Sequence, residues 1–186
     1  MHRHLVTALA ALMLCSFSSA WAATKEEKRE DVRKTSQEIL QSLYKLQPRA
    51  RAVVEKSAGY AVFSNFGMKV FVAGGGQGQG IAFDRKSGKE TFMKMVEVQA
   101  GLGFGVKKFQ LVWVFENKSA FDNFVNSGWE IGAQTTAAAQ LNQQGAFATG
   151  AMSVSPGVWI YQIAGDGLAL ELTAKGTKYY KDGELN

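Results

Sequence analysis

Two stretches of this chain put glycine at every second position: Gly74-Gly75-Gly76-Gln77-Gly78-Gln79-Gly80 and Gly101-Leu102-Gly103-Phe104-Gly105. Two residues is the period of a β-strand, on which alternate side chains share a face. Each stretch therefore presents one face without side chains. Something has to lie close against such a face: a neighbouring sheet, a helix or a ligand. The run is architecture first and a binding surface second.

Residues 1–22 carry the marks of a secretory signal peptide. Arg3 supplies a basic start, Leu5 to Phe17 are apolar, and Ala20-Trp21-Ala22 is a small-x-small cleavage site before Ala23. The apolar stretch is shorter than the ~20 residues a spanning helix needs, and no later segment reaches that length. Leu14 is bulky where lipid attachment at Cys15 would want a small residue. Cleavage at 22/23 would release a soluble or peripheral protein, periplasmic or secreted, and the A-x-A end favours a bacterial export route. Taking 22 residues from 186 leaves 164, read as a single domain over 23–186. A domain near that size buries roughly 70% of its unfolded surface, enough for one core without disulfides.

The one cysteine, Cys15, and both histidines, His2 and His4, fall in residues 1–22. Residues 23–186 have neither type. That excludes disulfides, the usual zinc sites, and Ser-His or Cys-His nucleophile systems. Carboxylates, lysines, tyrosines and hydroxyls remain, in no diagnostic arrangement. No cofactor, no metal and no enzymatic activity are expected. The net charge of +5 becomes +4 once Arg3 is removed. This mild basicity favours anionic partners such as phospholipid head groups.

Along the chain, Val32, Ser36, Ile39, Leu40, Leu43 and Leu46 form one stripe at helical spacing, predicting an amphipathic helix over 25–47. Its first turns interleave Lys25, Lys28, Arg29, Arg33 and Lys34 with Glu26, Glu27, Glu30 and Asp31, at distances that allow pairing. Pro48 ends that helix and can open a second over 48–57, with Ala50, Val53 and Val54 on one face. The pattern then turns to β: Tyr60–Phe63, Met68–Ala73, the glycine run into Phe83, a turn at Lys86–Lys89, Thr91–Val98, and Phe109–Phe115. Ser119–Val125 is a short helix after Asn117. A strand and a polar loop are expected over 129–145, then strands at Phe147–Val154, Val158–Ala164 and Leu168–Ala174. Gly165-Asp166-Gly167 marks a hairpin turn. A last basic stretch, Lys175–Lys181, is expected at a sheet edge. The whole predicts an α+β domain: N-terminal helices packed on a mainly antiparallel sandwich or barrel-like sheet, with one inserted helix.

The order Ala58-Gly59-Tyr60-Ala61-Val62-Phe63, then Val72 to Gly80, Val98 to Gly105, Val112-Trp113-Val114-Phe115 and Phe121 to Gly128, resembles the SYLF domain family over nearly all of residues 23–180. The resemblance implies a lipid-binding module. Some similar eukaryotic domains bind phosphoinositides, and some bind actin filaments. An exported protein would meet neither actin nor cytoplasmic phosphoinositides, so only lipid binding as a class carries over.

Rival motifs are weaker. Gly80 is followed by Ile81-Ala82-Phe83 and not by the Gly-Lys-Ser of a phosphate loop, and the dinucleotide spacing fails at Ile81 and Val106. Ser42-Leu43-Tyr44-Lys45 matches S-x-x-K without its companion elements. Glu116 with Asp122 could serve glycosidic chemistry only at a suitable separation. Nucleic acid is an unsuitable partner for so low a charge. The candidate contacts for an anionic phospholipid surface are Lys25, Lys28, Arg29, Arg33 and Lys34 in the first helix, Arg85, Lys86 and Lys89 in the turn, and Lys107 and Lys108. Lys175, Lys178 and Lys181 form a further basic group. The competing reading is a structural or protein-interaction domain of the cell envelope with no lipid role.

Overall fold

The computed structural model describes residues 23–70, 73–100, 105–131, 150–165, 167–169 and 176–186. The signal-peptide reading, Gly101–Phe104 of the second glycine stretch, most of 129–145 and Lys175 lie outside them. Helices α1 (Lys25–Leu46) and α2 (Pro48–Lys56) lead into strands β1 (Gly59–Val70), β2 (Ala73–Asp84), β3 (Glu90–Ala100) and β4 (Gly105–Phe115). Helix α3 (Lys118–Ser127) follows, then β5 (Trp129–Ile131), β6 (Met152–Ser155), β7 (Val158–Ala164), β8 (Gly167–Ala169) and β9 (Thr177–Lys181). The strands form one curled sheet in the order β5-β9-β3-β2-β1-β4-β7-β6, with β8 also on β7. Its pairings are antiparallel. This is the α+β architecture expected, in its barrel-like form.

Local chemistry sets the helix ends. Thr24 and Glu27 form a reciprocal capping box at the start of α1. Pro48 opens α2, where its missing N–H is no loss. Asn117 Oδ1 accepts from Ala120 N at 2.9 Å to open α3, and Gly128 ends it at φ +74°.

The two sheet faces are covered by different helices. Register places Ala61, Phe63, Met93, Met95, Leu111, Trp113 and Tyr179 on one face, where Phe121, Phe124 and Val125 of α3 join them in the largest core. Phe124 meets Phe115 and Trp113 at ring-centroid distances of 4.9 and 5.1 Å, and Trp113 lies edge-on to Tyr179 at 5.0 Å. On the other face, Ile39, Leu43, Ala50 and Val54 of α1 and α2 pack on Val62, Val112, Val114, Tyr161 and Ile163. Leu46, expected on the α1 stripe, is 41% exposed.

The first glycine run does what its period implies. Gly78 lies between Asn65 and Met95, and Gly80 between Phe63 and Met93, on the α3 face. A Cβ on Gly80 would fall 2.2 Å from Val62 O and 2.4 Å from Phe63 Cδ1. One on Gly78 would fall 2.5 Å from Ser64 O and 2.7 Å from Met95 Cγ. Side chains of β1 and β3 therefore close over the bare strand between them. Asn65 Nδ2 even reaches across β2 to donate to the buried Glu97 carboxylate at 2.8 Å.

Two expectations are corrected. Tyr60–Phe63 and Met68–Ala73 are not two short strands. β1 runs unbroken through Ser64 and Asn65, because ladders with β2 and β4 on both sides hold it extended whatever its local propensity. The C-terminal basic segment is not an edge: β9 lies between β3 and β5, pairing with both.

Candidate functional site

The β2–β3 turn, residues 85–89, projects from one end of the sheet. Asp84 shapes it: its Oδ1 accepts from Lys86 N at 2.9 Å and from Ser87 N at 3.3 Å. Burial opposes ionisation of Asp84, but the hydrogen bonds from Ser87 and Lys86, with Lys118 beside it, hold its carboxyl below the usual range. Arg85, Lys86 and Lys89 are exposed around this turn. Arg85 donates to Glu55 O of α2 at 3.0 Å.

The start of α1 reaches the same end. Arg29 Nε donates to Leu185 O at 2.6 Å, and Lys25 Nζ to Asn186 O at 2.6 Å. Arg33 bridges Glu90 of β3 at 2.9 Å and Glu26 at 2.9 Å. These carboxylates, Glu26 foremost, push its guanidinium pKa further above its ordinary value. Both arginines lie over the Phe92 ring, 5.6 and 5.3 Å from its centroid. Arg29 and Arg33 thus dock α1, while Lys28 and Lys34 point to solvent. The apolar stripe of α1 is likewise buried on the sheet, with Val32 at 5%, Ile39 at 1% and Leu43 at 0% exposure. Apart from Leu46 at its C-terminal end, the docked helix offers an outside surface charged groups and not apolar ones.

Two clefts join these pieces. One, of about 490 Å³, is lined by Arg29, Lys89, Lys118 and Lys181 with Asp84, Glu90 and Asp122. The adjoining one, of about 370 Å³, is lined by Arg85, Lys86 and again Lys118 with Glu55. Lys118 pairs with Asp122 and lies 3.4 Å from Asp84, and Asp122 above all raises its pKa. Lys181 donates to Asn126 at 2.9 Å. The helix cluster therefore meets the turn cluster through Arg29, while Lys25, Lys28, Arg33 and Lys34 line neither cleft. Lys107 and Lys108 lie apart: they pair with Gly67 and Phe66, seven or more residues up β1 from Gly59, roughly 23 Å away at strand spacing. Lys108 is exposed there, and the Lys107 side chain lies outside the described residues.

Sequence reasoning missed Lys118. A lysine at the first position of a helix opposes the helix dipole, which was the available hint that it has partners elsewhere. It also missed the C-terminal tuck. Leu185 is buried with Val32, Ile81 and Phe92, and Asn186 exchanges hydrogen bonds with the Phe92 backbone at 3.0 and 2.8 Å.

The rival sites find other employment. Glu116 accepts from Trp159 Nε1 at 2.8 Å, and Asp122 is paired with Lys118. Among the described residues no group of three His, Cys, Asp or Glu side chains is placed to hold a metal. No described helix is long and apolar enough to cross a membrane.

Fold and site together define a helix-backed, curled antiparallel sheet with a basic rim at its β2–β3 end. No family model matches the chain. It is similar to the protein named Beta cell expansion factor A from Aeromonas veronii: 35% identical over 162 residues, which is 87% of this chain and 60% of that protein. The chain thus spans about three-fifths of the length of this curated relative.

Proposed function

We propose that this chain is an exported, non-enzymatic member of the SYLF domain family that binds anionic phospholipid surfaces through its basic rim. The observation that carries the reading is the meeting of Arg29 of α1 with Arg85, Lys86 and Lys89 of the β2–β3 turn around two adjoining clefts that share Lys118. Arg85, Lys86 and Lys89 are exposed, and each cation near an anionic surface is worth about 1 kcal/mol. The docked apolar stripe of α1 favours surface adsorption over insertion of that helix. Lys107 and Lys108 are left out of the contact by their position. The family assignment is supported by where its segments fall: the first glycine run forms β2 at the centre of the sheet, and Val112 to Phe115 form the buried end of β4.

Co-sedimentation with vesicles of increasing anionic lipid content tests the function. Binding is expected to rise with anionic fraction and fall with salt. Folded protein that fails to bind anionic vesicles at low salt would refute it, and would leave an envelope interaction domain as the better reading.

A further inference from the structure

On the face covered by α1 and α2, a groove of about 410 Å³ opens between α1 and the middle of the sheet. This volume lies within the range of small-ligand sites (~300–1,000 Å³). It is separate from the basic rim and uses the other half of the glycine run. Where Gly76, Gly78 and Gly80 leave one face of β2 bare, Gln77 and Gln79 project from the opposite one. Register sets Gln79 beside Ser64 on one side and Lys94 on the other, with Tyr180 next in the same row. Thr35 and Ser36 of α1 form the facing wall, and Val96 and Tyr180, 36% and 37% exposed, form the outer lip.

The chemistry of the lining narrows the ligand. Ser64, Gln77, Gln79, Thr35 and Tyr180 have no side-chain hydrogen bond to the described protein, so their amides and hydroxyls are available. Lys94 is committed: it lies 3.2 Å from Asp182 and 3.3 Å from Glu184, and Asp182 above all raises its pKa. The charge left over is the Asp31 carboxylate, which argues against a phosphate or other anion. An added peptide strand is excluded, because β2 and β3 are paired on both sides and offer no open ladder. What suits the groove is a ligand dense in neutral hydroxyls that also has apolar C–H faces. A glutamine amide presents donor and acceptor together and can engage two adjacent hydroxyls. An exposed tyrosine offers a ring face with a polar tip.

We propose that this groove is a carbohydrate site, taking a short neutral saccharide across Gln77, Gln79, Ser64 and Tyr180. The test is an amide chemical-shift titration with cellotriose, maltotriose and triacetylchitotriose. At least one is expected to shift the resonances of residues 77–79, 94–96 and 180 with a Kd near or below about 1 mM. The Gln77→Ala/Gln79→Ala double variant, changed at two surface positions, should bind at least ~10-fold more weakly, about one to two hydrogen bonds' worth. Tyr180→Ala should weaken binding independently and serves if the double variant is poorly folded. The proposal is overturned if none of the three sugars shifts these resonances, if the shifts fall elsewhere, or if affinity is unchanged in a folded variant.

Discussion

Replacing Gly80 by alanine tests the packing logic of the sheet at its tightest point. The new methyl carbon would arrive 2.2 Å from Val62 O and 2.4 Å from Phe63 Cδ1. Neither neighbour can give way easily. Val62 O belongs to the backbone of a strand paired on both sides, and the Phe63 ring is wedged against Tyr179 at 4.9 Å and Phe124 at 6.2 Å. Clearing the contact means parting β1 from β2 by about an ångström, and overpacking of this kind costs about 1–3 kcal/mol or more. Alanine returns about 0.4–1 kcal/mol by restricting the unfolded chain. The net loss is about 1–2 kcal/mol, or roughly 2–8 °C in Tm for a domain of this size. Gly75→Ala is the matched control, since its methyl would meet nothing closer than Glu97 O at 3.5 Å. It should leave Tm unchanged or slightly raised. Thermal unfolding followed by circular dichroism reads both. A Gly80→Ala variant that melts with the parent, or a Gly75→Ala variant that falls as far, would refute the claim that the bare face exists for close packing.

Two other perturbations follow from the contacts at the basic end. Truncating Leu185 to alanine should cost about 2–5 kcal/mol, because it fills the pocket between Val32, Ile81 and Phe92; urea unfolding measures this, with Glu184→Ala, which removes only an exposed pair with Lys94 worth under about 1 kcal/mol, as the comparison. Asp84 has a folded-state pKa below its ordinary 3.8, so its contribution is complete above that pH and is lost as pH falls through the lowered value. Asp84→Asn should therefore be less stable than the parent at pH 6, and the gap should narrow as the pH falls below 3.8, as a pH series of melting curves would show.

The parts of the fold legible in the sequence are those set by neighbours in the chain. The 3-4 stripe from Val32 to Leu43 and the break at Pro48 place α1 and α2. Asn117 places α3, and Gly165 with Gly167 places the β7–β8 turn. Alternating glycine places β2 and its bare face. What the sequence hid is non-local. Ser64 and Asn65 look like a break between strands until β2 and β4 pair on either side and Glu97 meets the Asn65 amide. β9 is interior because Trp129–Ile131 returns to pair outside it, a contact across nearly fifty residues. The candidate site was half legible for the same reason. The basic residue types were visible, but which clusters share an end depends on strand register. Arg29 and Arg33 could not be told from Lys28 and Lys34 until Phe92, Glu90 and the C-terminus were in place.

The central claim is that charged lipid is met at the β2–β3 end and not elsewhere. Hydrogen–deuterium exchange on anionic vesicles reads it residue by residue. We predict added protection at residues 85–89 and in the first turns of α1, with residues 108–110 of β4 unchanged. Protection centred on Lys108, or an exchange pattern identical with and without vesicles, would contradict it.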